Sequence, residues 1–236
     1  MKSLLENSLN LTEKDIFKPY PVEEVLQKRL RNCTLNSDGT YSSESDVNLS
    51  ELGLTSLPVK FKEVIGTFDC ARNKLTSLEG APEKVGLDFS CTHNKLTTLE
   101  GAPRKVGGNF YCEFNQLTSL KGAPREVGLD FWCGHNNLTT LEGAPETVNG
   151  RFWCNYNNLT SLEGAPKEVG GGFSCDFNKL TSLEGGPKEV GGSFWCKHNQ
   201  LTSLEGAPKE VGGDFWYNFN PVSWLELKRT VSRSYL

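Results

Sequence analysis

The chain lacks several features that would assign it to a common functional class. It has no apolar run near the roughly 18 residues that a membrane-spanning helix needs, so no membrane span is expected. Its opening stretch, MKSLLENSLNLTEKD, has neither a continuous apolar segment nor a small-residue cleavage site, so it makes a poor secretion signal. It has no basic surplus: 25 Lys+Arg against 29 Asp+Glu leave a net charge of −4, with a pI near 5.5. Nucleic acid therefore gains little electrostatic attraction and is not an expected partner. No phosphate loop, nucleophile elbow or metal motif occurs. The glycine pairs at 191–192 and 212–213 precede a strand pattern rather than a helix start, so they are repeat elements.

What the chain has is a repeat. Cys70, Cys91, Cys112, Cys133, Cys154, Cys175 and Cys196 recur every 21 residues. Phenylalanine runs two residues ahead of them, from Phe68 to Phe215, and asparagine three behind, from Asn73 to Asn220. A fixed period of this length means one structural unit stacked many times, with no single globular core. In the unit GGSFWCKHNQLTSLEGAPKEV (191–211), Phe194 and Cys196 alternate with outward residues in the period of a short strand. Asn199 stands where the chain leaves that strand and can bond backbone groups of its own and the adjacent coil. Leu201, Leu204 and Val211 return to the interior, and Gly206-Ala207-Pro208 suits a tight turn.

Eight cysteines raise the question of a disulfide framework. Stacked parallel strands lie about 4.8 Å apart with like residues pointing the same way, whereas a disulfide needs converging Cβ atoms about 3.5–4.5 Å apart. The seven in register read as free thiols serving as small buried hydrophobes, which suits a reducing cytoplasm. Zinc fits poorly, because a column of like residues offers no closed tetrahedral set. No metal or cofactor is expected.

The pattern F-x-C-x-x-N-x-L-T-S-L-E-G-A-P-x-x-V-G-G resembles the leucine-rich repeat proteins of bacteria and bacteriophages over roughly residues 46–220. Its LTSL segment is also similar to that of short-repeat secreted bacterial effectors. The resemblance implies a leucine-rich repeat solenoid, mostly β: a curved stack of about nine coils with parallel strands on the concave face. It implies a binding role and supplies no catalytic residues.

The ends are expected to differ. In VNLSELGLTSLP, Val47, Leu49 and Leu52 take the phenylalanine, cysteine and asparagine places of a degenerate first coil. Asp38-Gly39 signals a hairpin turn, and Pro21 to about Arg31 reads as a helix with Val22, Val25, Leu26 and Leu30 on one face. An exposed solenoid end needs a lid, so residues 1–45 are expected to form a cap of helix and hairpin, 46–220 the solenoid, and 221–236 a second cap using Trp224, Leu225 and Leu227.

Packing explains the inward columns, so the outward ones carry the functional expectation. The position between phenylalanine and cysteine includes Tyr111, Trp132, Trp153, Trp195 and Trp216. The position before the asparagine includes Phe114, His135, Tyr156, Phe177 and His198. These ten residues are the candidate partner-binding set, since large exposed apolar surfaces mark binding sites and aromatics give contact area at low entropic cost. The second reading is that stacked rings stabilise the ladder between coils, and the two roles are compatible. The histidines recur two and three coils apart, too far to share one zinc. The expected function is a non-enzymatic protein-binding module of a bacterium or phage, working in the host cytoplasm. The alternatives are a glycan-binding adhesin or a virion structural component.

Overall fold

The structure is a computed structural model that describes residues 28–223. The chain divides into two compact units, Met1–Arg31 and Asn32–Leu236. The helix expected from Pro21 to about Arg31 falls mainly outside the described residues, and the C-terminal cap residues from Trp224 onward fall wholly outside them.

The second unit is a parallel β-solenoid. One sheet of nine strands runs along it from Val47–Asn48 to Phe215–Trp216, so the chain makes eight complete turns between them. Successive strands pair like with like: Phe131 lies beside Phe110 and Phe152, and Trp132 beside Tyr111 and Trp153. The strands are only two residues long, because the alternation lasts just long enough to put phenylalanine inside, its neighbour outside and cysteine inside. From Phe68 to Phe194 every phenylalanine in the column has no solvent exposure, and the seven cysteines have none either. The phenylalanine rings stack 5.1–5.7 Å apart along the axis. All eight cysteines are unpaired. Six of the buried thiols lie 3.2–3.5 Å from a carbonyl of the next coil, as Cys112 Sγ does with Trp132 O. Burial raises the buried thiols' pKa values above the ordinary range, so they stay neutral.

Each coil also contributes a second strand, where the sequence pattern indicates only a return to the core. It is the charged-residue-then-valine pair, such as Lys105–Val106. These pairs form a six-stranded and a four-stranded sheet. The first begins with an antiparallel hairpin, Cys33–Leu35 with Tyr41–Ser43, turning at Asp38-Gly39 as expected. The degenerate coil is also in place: Val47 pairs with Phe68, and Val47 and Leu49 are buried.

The second sheet breaks between Glu126–Val127 and Thr147–Val148, and one side chain accounts for it. After each valine the column reads Gly86, Gly107, Gly128, Asn149, Gly170, Gly191, Gly212. A Cβ on these glycines would lie only 1.9–2.2 Å from the carbonyl oxygen of the previous coil. Asn149 has a Cβ there, so coils cannot close to ladder distance. Gly128 donates to Val106 O and Gly170 to Val148 O, each at 2.9 Å, and Arg125 N donates to Arg104 O and Lys167 N to Glu146 O, but no matching bonds join Asn149 N to Val127 O or Glu146 N to Arg125 O. Ile65 departs from glycine in the same column, but there the bond from Ile65 N to Ser43 O is kept at 2.8 Å, with a register shift between Tyr41 and Ser42 in the facing strand. A groove of about 680 Å³ lies beside the break, lined in part by Arg125, Pro145 and Asn149.

Replacing Asn149 with glycine should therefore mend the sheet. Two recovered backbone bonds at about 1 kcal/mol each, less about 0.5–1 kcal/mol for the more flexible unfolded glycine, leave a gain of about 1 kcal/mol. For a chain of this size that raises the melting temperature by about 2–4 °C. Gly128→Ala should lower it, since its Cβ meets backbone that cannot give way. Thermal melts of both variants check the pair, and a destabilised Asn149→Gly would refute the explanation.

Candidate binding face

The site begins with the buried asparagines. Asn136 Oδ1 accepts from Leu117 N at 3.1 Å, while its Nδ2 donates to Cys112 O, Cys133 O and Gly134 O at 3.0–3.2 Å. One amide thus fastens two coils, and the pattern repeats from Asn73 to Asn220. For the asparagine to point inward, the strand alternation must be broken just before it. Side chains in an extended chain alternate faces, so with Cys133 inside, His135 would be inside and Asn136 outside. A left-handed residue at 135 reverses the order.

This conformation holds throughout the column: Arg72, His93, Phe114, His135, Tyr156, Phe177, His198 and Phe219 all have φ between 52° and 62°. Left-handed backbone costs roughly 1–2 kcal/mol for a residue with a Cβ and favours glycine or asparagine. Here seven consecutive coils carry an aromatic ring instead. The rings from His93 to Phe219 form one unbroken stack with centroids 4.2–4.4 Å apart and planes within 18° of parallel. Ring pairs contribute about 0.5–1.5 kcal/mol beyond area burial, so stacking roughly offsets the backbone strain and leaves little surplus.

The neighbouring column is less regular. Tyr111 and Trp132 lie 6.0 Å apart and Trp132 and Trp153 4.3 Å. Ser174 then interrupts the indoles. Trp195 reaches across it to meet Trp153 edge-on at 6.5 Å, passing over Gly172, where a Cβ would lie 2.6 Å from its ring. Arg151 and Lys197 stand over the Trp153 and Trp216 rings at 5.9 and 5.8 Å. Trp153 Nε1 is buried without a hydrogen-bond partner.

The structure brings the ten sequence-selected residues together on the outer face of the first sheet, in two adjacent tracks. Phe114, Tyr156 and Phe177 are 43%, 44% and 38% exposed. Tyr111, Trp132, Trp153 and Trp195 are half-buried, whereas Trp216 is open. His93 and Phe219 belong to the ring stack too; they lie outside the selected set, although the 21-residue spacing points to them. Between the tracks lie Glu113, Asn155, Asp176 and Lys197, a column whose mixed composition gives no signal in the sequence. Burial raises the Asp176 pKa, opposed by its hydrogen bond from Lys197 N at 2.6 Å. Burial also depresses the His135 pKa, with His93 adding repulsion. Among the described residues no group of three or more His, Cys, Asp or Glu side chains is placed to hold a metal ion.

Burial pushes the Glu113 carboxyl up to about 7 from its ordinary 4.5. A folded state that holds its proton more tightly than the unfolded chain is favoured below the unfolded value. That advantage is lost as pH rises from about 4.5 through about 7. Glu113→Gln should remove the decline, melting higher than the parent at alkaline pH and alike at acid pH. Parallel melting curves across the range check this; a constant offset would show that Glu113 ionisation is not the cause. No protein-family model and no curated protein matches the chain, so its function rests on these residues.

Proposed function

We propose that the chain is a leucine-rich repeat solenoid of bacterial or phage origin that binds a protein partner through its aromatic face and performs no chemistry itself. The host cytoplasm is the compartment in which a column of reduced thiols persists. The observation that carries the binding reading is the aromatic identity of the left-handed column. A position that serves only the turn is filled at least cost by glycine or asparagine. Instead it holds His, Phe or Tyr for seven coils, and stacking offsets the strain without a clear gain. Strain kept in this way is characteristic of functional surfaces. The rings present a rigid ridge whose exposed edges lose little entropy on contact, as recognition surfaces rich in aromatics do. The indole track beside it supplies the deeper, half-buried anchors typical of binding hot spots.

Asparagine tolerates left-handed backbone, so a triple Phe114→Asn, Tyr156→Asn, Phe177→Asn variant removes ring surface while suiting the turn. It should melt within a few degrees of the parent and retain none of the proteins the parent captures from bacterial lysate. Retention of the same captured protein by the well-folded variant would defeat the proposal.

A further inference from the structure

Where the indole track is interrupted, the two tracks enclose a cleft of about 380 Å³, near the lower end of ligand-site volumes, lined by Trp153, Asn155, Tyr156, Ser174, Asp176, Phe177, Trp195 and Lys197. We infer that this cleft is a binding subsite for an uncharged saccharide ring, which goes beyond the protein-binding reading and does not depend on it. The departure of one coil from the repeat creates the cleft. Ser174 stands where neighbouring coils carry tryptophan, and Gly172 leaves room for Trp195 to lean across. The result is an indole wall facing the ring stack at Tyr156 and Phe177.

The polar groups decide the ligand class. Asp176 and Lys197 lie 3.8 Å apart and their charges cancel. A cation entering the aromatic walls would compete with the resident ammonium for the carboxylate, and an anion would meet that carboxylate directly. A wholly apolar ligand would strand polar groups. The Asn155 amide, the Ser174 hydroxyl and the Tyr156 phenol make no hydrogen bond within the described residues. Ser174, though only 7% exposed, is not among the residues with a sealed, unpartnered polar atom, so its hydroxyl still reaches the cleft. A pyranose answers both halves of this lining: its axial C–H face packs on aromatic rings, and its equatorial hydroxyls both donate and accept, as the amide, carboxylate and ammonium require.

The test uses the intact chain and a panel of β-linked glucose, galactose and N-acetylglucosamine oligosaccharides. Binding is followed by tryptophan emission and by titration calorimetry. At least one sugar should bind with a dissociation constant of roughly 0.1–1 mM. An Asn155→Ala, Ser174→Ala double variant, which leaves both aromatic tracks intact, should weaken that binding about tenfold, equivalent to about 1.4 kcal/mol. Trp195→Ala should weaken it at least as much. Absence of binding by every sugar at roughly 10 mM, well above the millimolar range expected, would overturn the inference, as would affinity unchanged by the polar double variant. Either failure leaves protein capture by the ring stack untouched. The triple asparagine variant removes the Tyr156 and Phe177 wall and should lose sugar binding too. Protein capture that survives the Asn155→Ala, Ser174→Ala variant while sugar binding falls would separate the two sites.

Discussion

The structure depends on a buried amide. In each coil after the first, one asparagine holds its own strand end and the coil before it, as Asn157 does with its oxygen and both amide hydrogens engaged. Such a group is costly to bury unless its hydrogen bonds are made. Here they can be made only if the coils lie in register at ladder distance. Desolvation therefore enforces the 21-residue period: a coil one residue longer or shorter would strand an amide and two backbone groups. The phenylalanine and leucine columns supply most of the burial free energy, but apolar packing tolerates sliding in a way that a bidirectional amide does not. The amide ladder fixes the geometry and the apolar columns fill it.

The outward face follows from the same constraint. Turning the asparagine inward requires a left-handed residue ahead of it, and that residue must then point out. Stacked coils place these residues in line at close spacing, so any aromatic there meets its neighbours face to face. The ring stack is thus a by-product of the amide ladder in position, though not in composition. Arg72 and Glu51 adopt the same backbone without a ring, which shows that the turn itself demands none. The phenyl, imidazole and phenol groups are an addition to the architecture, and they are where selection for a surface can act.

Most of the fold was legible because the period exposes each column: burial of Phe131 and Cys133, the amide ladder, the Gly-Ala-Pro turn and the Asp38-Gly39 hairpin were all readable from residue type and spacing. The second strand was missed because Lys105–Val106 offers only two residues of alternation, too few to distinguish a strand from a loop that touches the core. The left-handed column was missed for a different reason. Its usual marker is glycine or asparagine, and His135 or Phe177 gives no such signal. Both candidate tracks follow from residue type at the 21-residue spacing, but their unequal burial does not, since half-covering of Trp153 depends on how Trp195 leans across a neighbouring coil. The proposed family and the proposed binding role draw on the repeat pattern and on this face.

A repeat protein makes its specificity from its exceptions. Columns that never vary define a coil but cannot distinguish one coil from the next, and a partner reading them would bind in any of several registers. The departures break that degeneracy. Asn149 opens the second sheet at one level, Glu113 places a carboxyl held near neutral pH between the tracks at another, and Ser174 with Gly172 makes a cleft at a third. Each costs something locally: two ladder bonds, a desolvated carboxyl, a missing indole. In a structure whose stability is a sum of nearest-neighbour terms, such costs stay confined to adjacent coils and are carried by the regular ones. The regularity of the remaining coils is what permits these positions to differ, and recognition is expected where the pattern fails.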